Sequence, residues 1–163
     1  MDSGIQESRQ IYNAPLGFFS AKLDEKGRLK FPAEFQQFFN SLGINGFFVT
    51  SLDRRIVTIY TVAEWRKTED FLENCAAEPQ YAASVLFNAN DLGGRADMDG
   101  QGRLLVPAEL RGELGIENQQ VRLKAAGTRV YVYTDSMYAE LRNQAKSMDG
   151  QAALTALKKA GLP

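Results

Sequence analysis

Two short stretches of this chain set an aspartate, a glycine and an arginine at identical spacing: Asp24-Glu25-Lys26-Gly27-Arg28 and Asp99-Gly100-Gln101-Gly102-Arg103. An aspartate at the head of a turn accepts backbone N–H bonds from residues two positions on, and a glycine supplies the positive φ of a tight hairpin. The arginine then stands at the first position of the returning strand. From there its guanidinium either reaches back to its own aspartate as a paired clamp, or outward to a phosphate or a guanine edge. The clamp is the commoner arrangement in such a turn and is the expectation for Asp24, Asp99, Gly102 and Arg103.

Charge separates the two stretches. Residues 22–30 hold Lys22, Lys26, Arg28 and Lys30 against Asp24 and Glu25, whereas residues 95–103 balance Arg95 and Arg103 against Asp97 and Asp99. At the equivalent places, Lys26 gives way to Gln101 and Lys30 to Leu105. The nucleic-acid-binding candidates are therefore Lys22, Lys26, Gly27, Arg28 and Lys30, with the lysines suited to phosphates and Arg28 to a base edge. A solvated hairpin whose lysines keep an edge strand soluble is the alternative reading.

Composition removes most other chemistry. The 163 residues contain no histidine, which excludes the commonest general base, the Ser-His-Asp and Cys-His nucleophile arrangements and every His-based metal site. The single cysteine, Cys75, leaves no intramolecular disulfide and no CxxC pair, a usage that fits a reducing cytoplasm. No pair of acids has a spacing that argues for acid–base work, and no glycine-rich phosphate loop is present, so no enzyme, cofactor or metal is expected. Nineteen Lys and Arg against twenty Asp and Glu give a net charge of −1, with no global basic field. No apolar run approaches the roughly 18 residues of a spanning helix. The opening MDSGIQESRQ is polar and acidic where a signal peptide carries a basic and then an apolar stretch. A cytoplasmic, non-membrane protein is expected.

The elements that must position the two turns are themselves repeated. AKLDEKGRLKFPAEF (21–35) lies over ADMDGQGRLLVPAEL (96–110) without a gap, and eight of the fifteen positions are identical. A second match follows, VTIYT (57–61) over VYVYT (130–134). Two ordered matches mean duplication of a half-domain. Each unit reads as a strand, the turn, a second strand, a helix opened by Pro32 or Pro107, two further strands, and a helix with Thr61 or Thr134 as its N-cap. The first unit adds a helix from Pro79 over about 79–89. The second ends in a helix within GQAALTALKKAGLP (150–163), and residues 1–17 match nothing internal and are expected to be a flexible arm.

A unit of about 50 residues buries little alone, whereas two copies can cover each other's apolar faces. The expected fold is therefore α+β and β-rich, with one core related by a pseudo-twofold and helices at its flanks. It divides into the arm 1–17, a first repeat with its helical extension at 18–91, and a second repeat with its C-terminal helix at 92–163.

DEKGRLKFPAEF in the first copy and DGQGRLLVPAEL in the second resemble the MraZ family, AbrB-like bacterial transcription regulators associated with the cell-division and cell-wall gene cluster. The resemblance covers about residues 17–145 and includes the Trp-bearing helix VAEWRKTEDF. It implies a swapped-hairpin barrel in which the two repeats mimic an AbrB dimer within one chain. It further implies ring-like homo-oligomers, a nucleoid-associated location, and binding to double-stranded DNA at guanine-rich direct repeats upstream of the protein's own operon, as a repressor. The family's functional Asp and Arg carry over to Asp24 and Arg28, with Asp99 and Arg103 as second-copy counterparts.

Other features read as packing. The phenylalanines of the first unit are expected in the core or at a subunit contact, and Phe38 and Phe39 cannot both point into one core because they are consecutive on a helix. Trp65 reads as a packing residue and Cys75 as a small buried hydrophobe. The middle helices hold only Arg66 and Lys67 as cations. A ring-forming protein-interaction module, recruiting a partner through its terminal helices, is the alternative function.

Overall fold

The structure, a computed structural model, describes residues 13–163. Of the arm at 1–17, residues 1–12 lie outside the described residues; in the remainder Pro15 is buried and Ala14 packs against the core.

The first copy runs β1 (Phe18–Lys22), β2 (Arg28–Lys30), α1 (Ala33–Ser41), β3 (Gly46–Thr50), β4 (Val57–Thr61) and α2 (Val62–Glu73). The added helix α3 (Pro79–Leu92) leads to the second copy: β5 (Gly94–Asp97), β6 (Arg103–Leu105), α4 (Ala108–Leu114), β7 (Gln120–Ala126), β8 (Arg129–Thr134) and α5 (Asp135–Ser147). Helix α6 (Gly150–Ala160) ends the chain. Local chemistry sets these bounds. Pro32 and Pro107 stand immediately before α1 and α4 with φ of −54°, suited to a helix entrance. Thr61 and Thr134 each accept the backbone N–H three residues on, from Glu64 and Met137. Asp149 caps α6 by accepting from Gln151 and Ala152.

The fold is α+β: a six-stranded antiparallel sheet in the order β1-β7-β8-β4-β3-β5, a two-stranded ribbon of β2 with β6, and six helices among the described residues. Exchanging first-copy for second-copy strands reverses the sheet order onto itself, which is the topology of a pseudo-twofold. Among the described residues the edge strands pair only with the other copy, β1 with β7 and β5 with β3. Each edge then runs through its Asp-to-Arg turn into the ribbon, so the ribbon spans the gap between β1 and β5.

Alternation along the strands puts one face inside. Leu29 and Leu104 of the ribbon are fully buried with Phe31, Phe35, Phe39, Phe47, Ile59 and Leu123 in one cluster drawn from both copies. On the other face of the sheet, Trp65 of α2 stacks on Phe48 at 4.5 Å and packs with Tyr60 and Ala89 of α3.

Two sequence expectations need correction, those for Phe38 with Phe39 and for Cys75. Phe38 and Phe39 are both buried in the same cluster; their rings meet at 5.1 Å with a 55° tilt, so the divergence of consecutive helical side chains is absorbed by ring orientation. Phe18, the most exposed phenylalanine of the first-unit strands at 48%, lies on the outward row of β1 with its ring edge-on to Tyr133 and Tyr138. Cys75 is half-buried in the link between α2 and α3 rather than buried, since that link lies outside both clusters.

Candidate nucleic-acid interface

Each turn is built around its aspartate. Asp24 Oδ1 accepts the backbone N–H groups of Lys26 at 3.0 Å and Arg28 at 2.9 Å, while Oδ2 accepts the Arg28 Nε–H at 2.8 Å. Asp99 does the same with Gln101, Arg103 and the Arg103 Nε–H at 2.9, 2.9 and 2.8 Å. The backbone N–H of Arg28 holds the Asp24 carboxyl below the usual carboxylate range, and the Arg28 side chain adds to the effect. The N–H of Arg103 acts likewise on Asp99, which is lowered from 3.8 to about 2.

The clamp reading therefore holds for both arginines, Arg28 included. It does not compete with recognition. Among the described residues the protein bonds of both guanidiniums run through Nε alone, which leaves both Nη groups of each arginine without a protein partner. The arginines are almost equally accessible, 30% for Arg28 and 27% for Arg103, so the two copies differ in their lysines rather than in the arginine itself.

Each turn rests on the opposite copy. Gly27 has φ +81° and Gly102 φ +76°, a region that costs other residues roughly 1–2 kcal/mol. A Cβ on Gly27 would collide with the guanidinium of Arg111, which α4 supplies and the Val106 carbonyl holds in place. A Cβ on Gly102 would collide with the amide of Gln36, which α1 supplies and the Phe31 carbonyl holds. The carbonyls of both glycines also accept across the copies, Gly27 from Val106 N–H and Gly102 from Phe31 N–H, each at 2.9 Å. Both glycines are buried, so Gly27 shapes the turn and presents no surface of its own.

The ribbon register decides what faces solvent. Arg28 lies opposite Leu105, Leu29 opposite Leu104 and Lys30 opposite Arg103. With Leu29 and Leu104 buried, the outward row is Arg28, Lys30, Arg103 and Leu105, the last 53% exposed. Leu23 bridges Leu29 and is also buried, so the same outward row passes through Asp24 to Lys22 at the end of β1. Lys26 is exposed at the turn. Lys22, Lys26 and Lys30 have no carboxylate partner among the described residues.

The ribbon thus brings together Lys22, Arg28 and Lys30 and adds Arg103, which the sequence alone places with the structural turn. The repeated motif marks Arg103 as the counterpart of Arg28, but its place on this face follows from the β2–β6 register, which sets it opposite Lys30, 73 residues away. By contrast, Arg66 and Lys67 on α2 are paired to Glu69 and Glu64. The described residues include no group of His, Cys, Asp or Glu that could hold a metal ion, and no helix long and apolar enough to cross a membrane.

Comparison with known proteins gives concordant matches. The family model described as "MraZ protein, putative antitoxin-like" matches residues 95–159. A protein of Acidobacterium capsulatum named "Transcriptional regulator MraZ" is 37% identical over 95 residues, which are 58% of this chain and 65% of that protein. The protein of the same name from Koribacter versatilis is 32% identical over 107 residues, 61% of this chain and 73% of its own length. That of Desulfitobacterium hafniense strain Y51 is 29% identical over 139 residues, 85% of this chain and 93% of its own.

Proposed function

This chain belongs to the MraZ family, and from that premise we propose that it is a DNA-binding transcriptional regulator, sequence-specific, with the outer face of the β2–β6 ribbon as its contact surface. One observation carries the reading. Two arginines are each fixed by their own aspartate through Nε, share one exposed ribbon face, and keep their Nη groups available. A guanidinium held in this way is pre-oriented for a bidentate bond to a guanine edge or to a phosphate, and Lys22, Lys26 and Lys30 around it suit phosphates. Asp24, Asp99 and Gly102 hold the geometry, and Arg103 joins Arg28 on the face.

The interleaved edges and the cross-copy ribbon support an AbrB-like swapped-hairpin barrel within one chain. In the fuller reading the protein is a cytoplasmic, nucleoid-associated, ring-forming repressor of its own division and cell-wall operon. It binds guanine-rich direct repeats upstream of that operon. A ring multiplies a small patch: several weakly basic faces on one duplex gain avidity without further contacts at each. A second reading, an interaction module acting through its terminal helix, is favoured by α6, where Leu154 and Leu157 are 45% and 52% exposed.

The test is a gel shift with the duplex immediately upstream of the protein's own gene. The wild-type protein should shift it in preference to scrambled DNA. Arg28→Ala, a folded protein, should bind about 5–150-fold more weakly, as removal of one bidentate base bond worth about 1–3 kcal/mol requires. Gln101→Ala should leave binding intact. Unaltered affinity of a folded Arg28→Ala protein contradicts the assignment.

A further inference from the structure

The cations of this molecule are not distributed as its topology is. Under the pseudo-twofold, Phe48 of β3 corresponds to Arg122 of β7, because Phe48 lies opposite Tyr60 and Arg122 opposite Tyr133 in matching registers. Likewise Trp65 of α2 corresponds to Tyr138 of α5. On the first-copy side the aromatic pair Phe48–Trp65 is surrounded by neutralised cations: Arg66 with Glu69 at 3.0 Å, Lys67 and Arg129 with Glu64 at 3.9 and 3.6 Å, and Arg95 with Asp97 at 3.7 Å.

On the second-copy side the same place holds unneutralised charge. Arg122 lies over the Tyr138 ring at 4.7 Å from its centroid and Arg142 at 4.8 Å, the latter also donating to the Tyr138 hydroxyl at 2.9 Å. Two guanidiniums thus share one ring, and neither has a carboxylate partner among the described residues. Lys124 stands two residues along β7 on the same outward row, and Lys146 one helical turn beyond Arg142 on α5. Nearby acids are otherwise engaged: Glu140 pairs with Arg55 at 3.1 Å, and Asp149 spends an oxygen on the first amides of α6. Asp135 sits at the opposite end of α5, in its first turn.

We propose that this β7–α5 face, carried by Arg122, Lys124, Arg142 and Lys146, is a second DNA-binding surface, one that takes backbone phosphates of the duplex flanking the ribbon. Lys22 links the two. It belongs to the outward row that leaves the ribbon, and on β1 it lies opposite Gln120, one outward position from Arg122. Cations held beside one another without counter-ions favour an anion that spans them, and a phosphate backbone does so at every step. Because the charge is confined to one copy, this surface extends the site to one side only. These phosphates add affinity, not sequence preference.

The inference rests on the DNA-binding reading, and one experiment separates the two. The full chain and a Lys124→Gln/Arg142→Gln/Lys146→Gln variant, its fold checked by circular dichroism, are titrated with the upstream duplex and with a scrambled duplex of equal length over a series of salt concentrations. The log–log slope should fall on both duplexes by about 0.9 for each phosphate the variant no longer neutralises, so by roughly 2–3 in all, with the preference between duplexes unchanged. Arg28→Ala should instead erase the preference. A folded triple variant with the wild-type slope overturns the second surface while leaving the ribbon reading standing. A changed oligomeric state at unchanged slope does the same and assigns the face to protein association. A wild-type protein that binds neither duplex overturns both.

Discussion

Asp24 and Asp99 each hold an arginine and its turn by three bonds, and those bonds tie stability to pH. For Asp99 the folded value is about 2 against an ordinary 3.8. A carboxyl whose pKa is lowered on folding stabilises the native state when ionised. Its contribution is complete above the unfolded value and is lost as pH falls through the folded one. Asp24 is shifted in the same direction for the same reason, the N–H of its arginine. The thermal midpoint of the wild-type protein should therefore drop as pH falls from about 4 to about 2. In Asp99→Asn the midpoint at neutral pH should be lower and the acid-side drop smaller. Thermal unfolding followed by circular dichroism across that range checks it; identical pH profiles for the two proteins would show that the clamp adds nothing to stability. The same clamp fixes Arg28 without consuming its Nη groups, so in the proposed function one arginine would serve the turn and the DNA-facing surface together.

At the scale of elements, neither copy completes itself. Among the described residues strand β1 has only β7 as a sheet partner and β5 only β3, the ribbon takes one strand from each copy, and each turn glycine is covered by a side chain from the opposite copy. Residues 1–91 and 92–163 produced separately should each lack cooperative unfolding and a dispersed amide spectrum, and mixing them should restore both. A stable, dispersed spectrum from either half alone would contradict the interdependence. Much of this is legible in the sequence. The turns, the proline-opened helices, the threonine caps and the added helix at Pro79 are short-range chemistry, written within a few residues of where they act. Partner choice is not. Alternation in FFSAK or RLK says that a segment is a strand with one buried face, but it says nothing of whether the neighbour comes from the same copy. For that reason the sequence marks Arg103 as the counterpart of Arg28 in its own turn without placing the two on one face. Arg122 and Arg142 carry no signal either, since they meet only through the ring of Tyr138 on a helix packed against the sheet.

For the whole molecule, a net charge of −1 conceals an uneven distribution. Carboxylates neutralise the cations over α2 and β5, and pair Arg28 and Arg103 through Nε; among the described residues, Lys22, Lys26 and Lys30 at the ribbon and Arg122, Lys124, Arg142 and Lys146 on β7 and α5 have no carboxylate partner. On the proposed function, a near-neutral chain of this kind would bind DNA by placement of charge, and a duplex should meet it from the ribbon side. Position is measured most directly by site-directed photocrosslinking. With Cys75, the chain's only cysteine, replaced by serine, a benzophenone is attached to Lys30→Cys on the ribbon or to Glu73→Cys at the end of α2, on the far face of the sheet. Adducts with the upstream duplex are expected from position 30, competed by the same unlabelled duplex, and none from position 73. Adducts from position 73 with none from position 30 would contradict this placement.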